Sequence, residues 1–158
     1  MNQILKLLSP FESLPNRSFS GRLKLAVGLY AVAVSLIHCW MNTLGVMMTI
    51  KMNALHLGTL MGLTFILCPA MPWSPKDRPS VLDLILAGFS LFSAAYMIVR
   101  YDQLLALNME PSAMDLWLGA LMVAVLAEAS RRSVGIPLTL LSLAFLGYTR
   151  FGPYFPGL

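Results

Sequence analysis

Five apolar stretches of bilayer-spanning character dominate this sequence and leave little chain for anything else. The plainest is the first, since residues 25–50 contain no Asp, Glu, Lys or Arg. A helix rises about 1.5 Å per residue, so roughly 20 predominantly apolar residues cross the hydrocarbon layer. Charged residues are 11% of the chain, against about 25% in ordinary soluble domains. The fold expected is an all-α integral membrane protein, a bundle of four to five transmembrane helices. At 158 residues there is no room for a separate soluble catalytic domain.

The breaks between stretches set the expected organisation. Residues 1–21, interrupted by Pro10 and Pro15, read as an N-terminal segment lying in the headgroup plane, with a single transmembrane domain over 22–158. A cleavable signal peptide is the competing reading. The apolar run that follows is longer than the roughly 7–15 residues of a signal core, which favours an uncleaved helix. Spans are expected at about 23–47, 54–71, 81–101, 114–131 and 136–150. Pro69, Pro72 and Pro75 end the second span by removing backbone donors. Ser80 with Asp83, and Ser112 with Asp115, have the serine-x-x-acid spacing of a capping box. Gly135 and Pro137 interrupt the last apolar region. One kinked helix there would bring Arg131 and Arg132 to the bilayer centre, at about 2.5–3.5 kcal/mol each, so two helices are expected.

The cations fix an orientation. With the N-terminus cytoplasmic, the inner segments collect Lys6, Arg17, Arg22, Lys24, Lys76, Arg78, Arg131 and Arg132, and the outer ones only Lys51, Arg100 and Arg150. Eight against three follows the positive-inside rule. A net charge of +4 invites a nucleic-acid reading, but the basic residues sit at helix ends and form no stripe with exposed aromatics, so no nucleic-acid partner is expected.

Few groups offer chemistry. Glu128, Arg131 and Arg132 share a helix face at spacings of three and four. They read as an interfacial ion pair, or as a contact with a partner subunit or anionic membrane lipids, with a transported-ion site as the remaining alternative. His38 and Cys39 are adjacent, so they point in different directions and cannot act as a base–nucleophile pair. Cys39 and Cys68 lie in apolar runs with no further ligand nearby and read as small buried hydrophobes. Tyr96, Arg100, Tyr101 and Asp102 form an amphipathic group at the outer end of the third span, read as an aromatic-belt anchor or a lateral contact surface. Gly58 and Gly62 have the small-xxx-small spacing that permits close helix approach. No catalytic, cofactor or metal residue is assigned. No span carries a midplane charge of the kind a proton relay uses.

The series His56-Leu57-Gly58, Leu82-Asp83-Leu84, Asp115-Leu116-Trp117-Leu118-Gly119, Glu128-Ala129-Ser130-Arg131-Arg132, Gly135-Ile136-Pro137 and Phe151-Gly152-Pro153-Tyr154-Phe155-Pro156-Gly157 resembles the N-terminal membrane region of TAXI-type tripartite ATP-independent periplasmic (TRAP) transporters. The resemblance covers residues 56–158; the first helix matches only in character. It implies a non-catalytic small membrane subunit without cofactor, in a bacterial inner membrane. There it braces a large elevator-type permease subunit, driven by a sodium or proton gradient. A periplasmic substrate-binding protein delivers organic acids. Relatives that fuse the two subunits continue past the position of Leu158, so the chain reads as a separate subunit or as the front of a longer permease. Arg100, Tyr101, Asp102, Glu110 and Arg150 are the outer-side candidates for docking, and Glu128, Arg131 and Arg132 the inner-side ones. Gly58, Gly62, Gly135 and Pro137 are the candidates for helix packing and for the break.

Two rivals come from other classes. A small membrane-embedded enzyme would use His38, His56 and Asp83, but His56 is expected near the outer face and Asp83 near the inner. A homo-oligomeric channel or exporter would stack polar residues along one span, where only Ser90 and Ser93 hint at it.

Overall fold

The computed structural model describes residues 16–45 and 48–152, and these described residues form five helices: α1 Gly21–Thr43, α2 Thr49–Leu67, α3 Val81–Ala106, α4 Ala113–Ser133 and α5 Ile136–Phe151. Four are long and apolar enough to cross a membrane; α5, with 16 residues, is shorter. Lipid offers the backbone no hydrogen-bond partner, so each span satisfies its amides internally as helix. The protein is multi-pass.

The boundaries follow local chemistry. Both expected capping boxes form: Ser80 and Ser112 accept from the amides of Asp83 and Asp115, whose carboxylates accept from the serine amides in return. α2 begins at Thr49, five residues earlier than expected, with Lys51 in its first turn. It ends at Leu67 instead of running on to residue 71, because Pro69 cannot supply an amide to continue the ladder. α3 runs to Ala106, past the expected 101. Arg100, Tyr101 and Asp102 therefore stand on helix, because a charge marks where lipid ends and not where helix ends. Residues 1–15 of the expected interfacial segment lie outside the described residues.

Gly135 resolves the break near the end. Its φ of +99° is open to glycine and strained for other residues. Pro137 sits in the first turn of α5, where its missing amide costs nothing. The Thr139 hydroxyl lies 3.2 Å from that of Ser130, across nine residues. In a continuous helix nine residues extend about 13 Å, so the chain turns back on itself.

The closest packing joins α2 to α3. A Cβ built on Gly58 would lie 2.4 Å from Ala94 Cβ and 2.7 Å from the Ser90 carbonyl oxygen, so only glycine lets the helices approach this far. Gly62 faces Tyr30, whose hydroxyl donates to the Thr59 carbonyl and ties α1 to α2. The core comprises Met61, Phe65, Ala87, Val125 and Ala129, contributed by α2, α3 and α4. α1 and α5 flank this unit and leave most of their apolar surface uncovered; Thr139 is the one buried residue of α5.

Candidate functional site

The described charges gather at two opposite ends of the bundle. At one end three helix termini and the segment before α1 meet around Asp83. The capping box places the Asp83 carboxylate at the start of α3, where Oδ2 accepts from the Ser80 amide at 2.9 Å and its hydroxyl at 2.8 Å. Two guanidinium groups converge on it, Arg17 Nη2 on Oδ2 and Arg132 Nη1 on Oδ1, each at 2.6 Å. All three side chains are fully buried.

Arg17 also closes the end of α2. Its Nη1 donates to the carbonyls of Phe65 and Ile66 at 3.1 and 2.9 Å, and its Nε donates to that of Pro75 at 2.9 Å. The last carbonyls of a helix have no partner within it, and here a side chain from elsewhere in the chain supplies one. Its own backbone amide donates to Leu67 O at 2.8 Å.

The C-terminal turn of α4 completes the network. Arg132 Nε donates to Glu128 Oε1 at 2.7 Å, and its guanidinium stacks 4.9 Å from the centre of the Phe65 ring. Arg131 forms a two-pronged pair with Glu128, both contacts at 2.8 Å, and reaches Ala70 O at 2.9 Å. The sequence expectation of an ion pair among Glu128, Arg131 and Arg132 is thus met on the i, i+3 and i, i+4 geometry. Arg132 departs from the surface position expected for it: it is 2% exposed and turned inward to Asp83. Arg131 and Glu128 keep about a third of their side chains open, at 35% and 31%, and form the accessible rim.

Arg17 and Asp83 were not among the residues singled out for this cluster. The signal present in the sequence was Asp83 as a cap, which located the carboxylate but not its cationic neighbours.

At the opposite end α3 meets α2 and α4. Lys51 Nζ lies 2.8 Å from the Asp102 carboxylate and 5.5 Å from the centre of the Tyr101 ring. Tyr101 is buried, while Asp102 is open. Tyr96 donates to Asp115 Oδ1 at 2.5 Å and Arg100 Nε reaches the same oxygen at 3.4 Å, with Gln103 accepting from Arg100 Nη1. Glu110 and Arg150 are exposed, Arg150 lying 5.8 Å from the Phe151 ring. The structure therefore groups Arg100, Tyr101 and Asp102 on one helix end.

His38 and His56 come together across α1 and α2 with ring centres 4.7 Å apart, and His38 Nδ1 bonds Val34 O at 2.7 Å. Asp83 does not join them. Ten residues of α2, about 15 Å, separate His56 from the Ile66 carbonyl beside the Asp83 cluster. Among the described residues no three His, Cys, Asp or Glu side chains group as metal ligands. Cys39 is exposed, whereas Cys68 is buried.

No family model, curated protein or solved structure matches the chain significantly.

Proposed function

We propose that this chain is the small membrane subunit of a TAXI-type TRAP transporter, seated in the inner membrane of a bacterium. It is non-catalytic and acts as a scaffold. It braces a large elevator-type permease while an ion gradient drives uptake of organic acids delivered by a periplasmic binding protein. The resemblance in the order of motifs between His56 and Gly157 suggests the family.

One observation carries the scaffold role. The chain ties its own helices together at both ends through ion pairs and leaves the flanks formed by α1 and α5 bare. The fully buried pairs at the Asp83 end resist relative movement of the helix ends there, because separating them strands a charge in a dry environment. A moving permease domain needs a stationary neighbour of that type. The open flanks offer apolar area to lipid and to a larger partner, with the Glu128–Arg131 rim on one side and Arg100, Asp102 and Glu110 on the other as polar contacts.

The test is affinity purification of the tagged chain from its own membranes, together with reconstitution of the chain alone. The expected result is recovery with a large polytopic permease and no solute uptake by vesicles holding this chain only. Solute uptake or turnover by the solitary chain overturns the reading.

A further inference from the structure

α4 rests against α2 and α3 along one half only, since its buried residues are Val125, Ala129 and Arg132. Its other end is held by the Tyr96–Asp115–Arg100 tie. Between these two fixings the helices part and a cleft of about 200 Å³ opens. Leu57, Ala94, Met97, Leu118, Gly119 and Met122 contribute to its walls. Ala94 is buried at the back, while Leu57 and Gly119 are exposed at the side. Ser93 lines the same cleft, and its shielded hydroxyl has no hydrogen-bond partner among the described residues. A second hollow shares Tyr96 with the cleft and is bordered by Arg100, Gln103 and Ser112.

We propose that this cleft holds one acyl chain of a membrane phospholipid, whose phosphate is taken by Arg100 in the adjoining hollow. The walls are apolar and open sideways from spans that lie in lipid. Water fills the cleft poorly, because a buried water needs about two to four polar partners and the polar lining is limited to Ser93, Tyr96 and Asp115 among otherwise apolar residues. A guanidinium carries five donors, and the contacts to Asp115 and Gln103 engage Nε and Nη1. Arg100 thus retains hydrogen-bonding capacity and a positive charge for a phosphate at the end of the apolar cleft.

The proposal is tested by native mass spectrometry of the full chain after exchange through lipid-free detergent. One phospholipid per wild-type chain is expected to survive the exchange. Gly119→Phe fills the cleft from α4 beside Tyr96 and Asp115, which also line it, and should emerge lipid-free with the same helical content. Arg100→Gln removes the charged partner of the phosphate, together with the guanidinium contacts to Asp115 and Gln103, and should lower occupancy by about tenfold or more. A second measurement does not depend on any variant: a phospholipid spin-labelled on its acyl chain should broaden the methyl resonances of Met97 and Met122 saturably, and not that of buried Met41 on α1. A wild-type chain that emerges without lipid, an undiminished lipid count in a folded Gly119→Phe, or equal broadening at Met41 overturns the proposal. So does a permease complex in which a side chain of the partner occupies the cleft.

Discussion

Two guanidinium groups share the Asp83 carboxylate, and all three side chains are shut off from the surface. Asp83→Asn preserves the shape of the side chain but leaves Arg17 and Arg132 as buried charges around a neutral group. The expected loss is about 3–5 kcal/mol, the usual range for breaking a buried pair from one side. Arg131→Gln, at a site about one-third open, should cost about 1 kcal/mol or less, since exposed pairs are screened. Denaturant unfolding in one detergent, followed by circular dichroism, checks both; equal losses would show that the Asp83 cluster is hydrated and not sealed. What the sequence disclosed here was local. Spacings of three and four residues joined Glu128 to Arg131 and Arg132, and the serine-x-x-acid spacing placed Asp83 at a helix start. The pairing of Asp83 with Arg17, 66 positions away, and with Arg132, 49 away, depends on where the helices end in space, which no local pattern encodes.

At the level of helices, α2 and α3 are joined by shape more than by charge. Gly58 meets both backbone and side chain of α3, so any larger residue must push the two helices apart. Gly58→Leu should lower stability by several kcal/mol, toward or beyond the roughly 1–3 kcal/mol typical of overpacking, because a backbone oxygen cannot yield as a side chain does. A Cβ added at Gly147 on α5 meets nothing within 4 Å, so Gly147→Leu should change stability by less than about 0.5 kcal/mol. Thermal unfolding of the two variants side by side checks the contrast, and a similar cost at both positions would mean that Gly58 is not the close contact. The small-xxx-small spacing pointed to Gly58, since lack of a side chain is visible in sequence. Which helix it would meet was not, because every span here is apolar and any of them could have been its neighbour. The helices reach beyond the apolar runs that mark the expected spans: α2 begins before residue 54 and α3 passes residue 101. Polar partners such as Lys51 for Asp102 and Asp115 for Arg100 let α2 begin early and α3 run on.

For the whole molecule, the order of contacts requires successive helices to run in alternate directions. The segment before α1, the end of α2, the start of α3 and the end of α4 meet at the Asp83 cluster, while the start of α2, the end of α3 and the start of α4 meet at the Lys51 and Asp115 ties. These contacts place Arg17, Arg131 and Arg132 on one side and Lys51 and Arg100 on the other, which is the division the cation count assumed. The absolute direction we propose is the one the positive-inside rule predicts, with lysine and arginine in short loops retained on the cytoplasmic face. With Cys39 and Cys68 replaced by alanine, single cysteines at Lys76, Asn108 and Arg150 therefore give a definite labelling pattern with a membrane-impermeant maleimide. Asn108→Cys and Arg150→Cys should react in intact cells, and Lys76→Cys only after permeabilisation. The mirror-image pattern would keep the fold and invert the insertion. Reaction of Lys76→Cys and Asn108→Cys from the same side would contradict the alternation itself. Arg150→Cys carries separate information: α5 is about 24 Å long at 1.5 Å per residue, short of the roughly 30 Å hydrocarbon layer. Protection of that site on both sides would place the end of α5 either within the membrane, leaving four complete crossings, or beneath a partner.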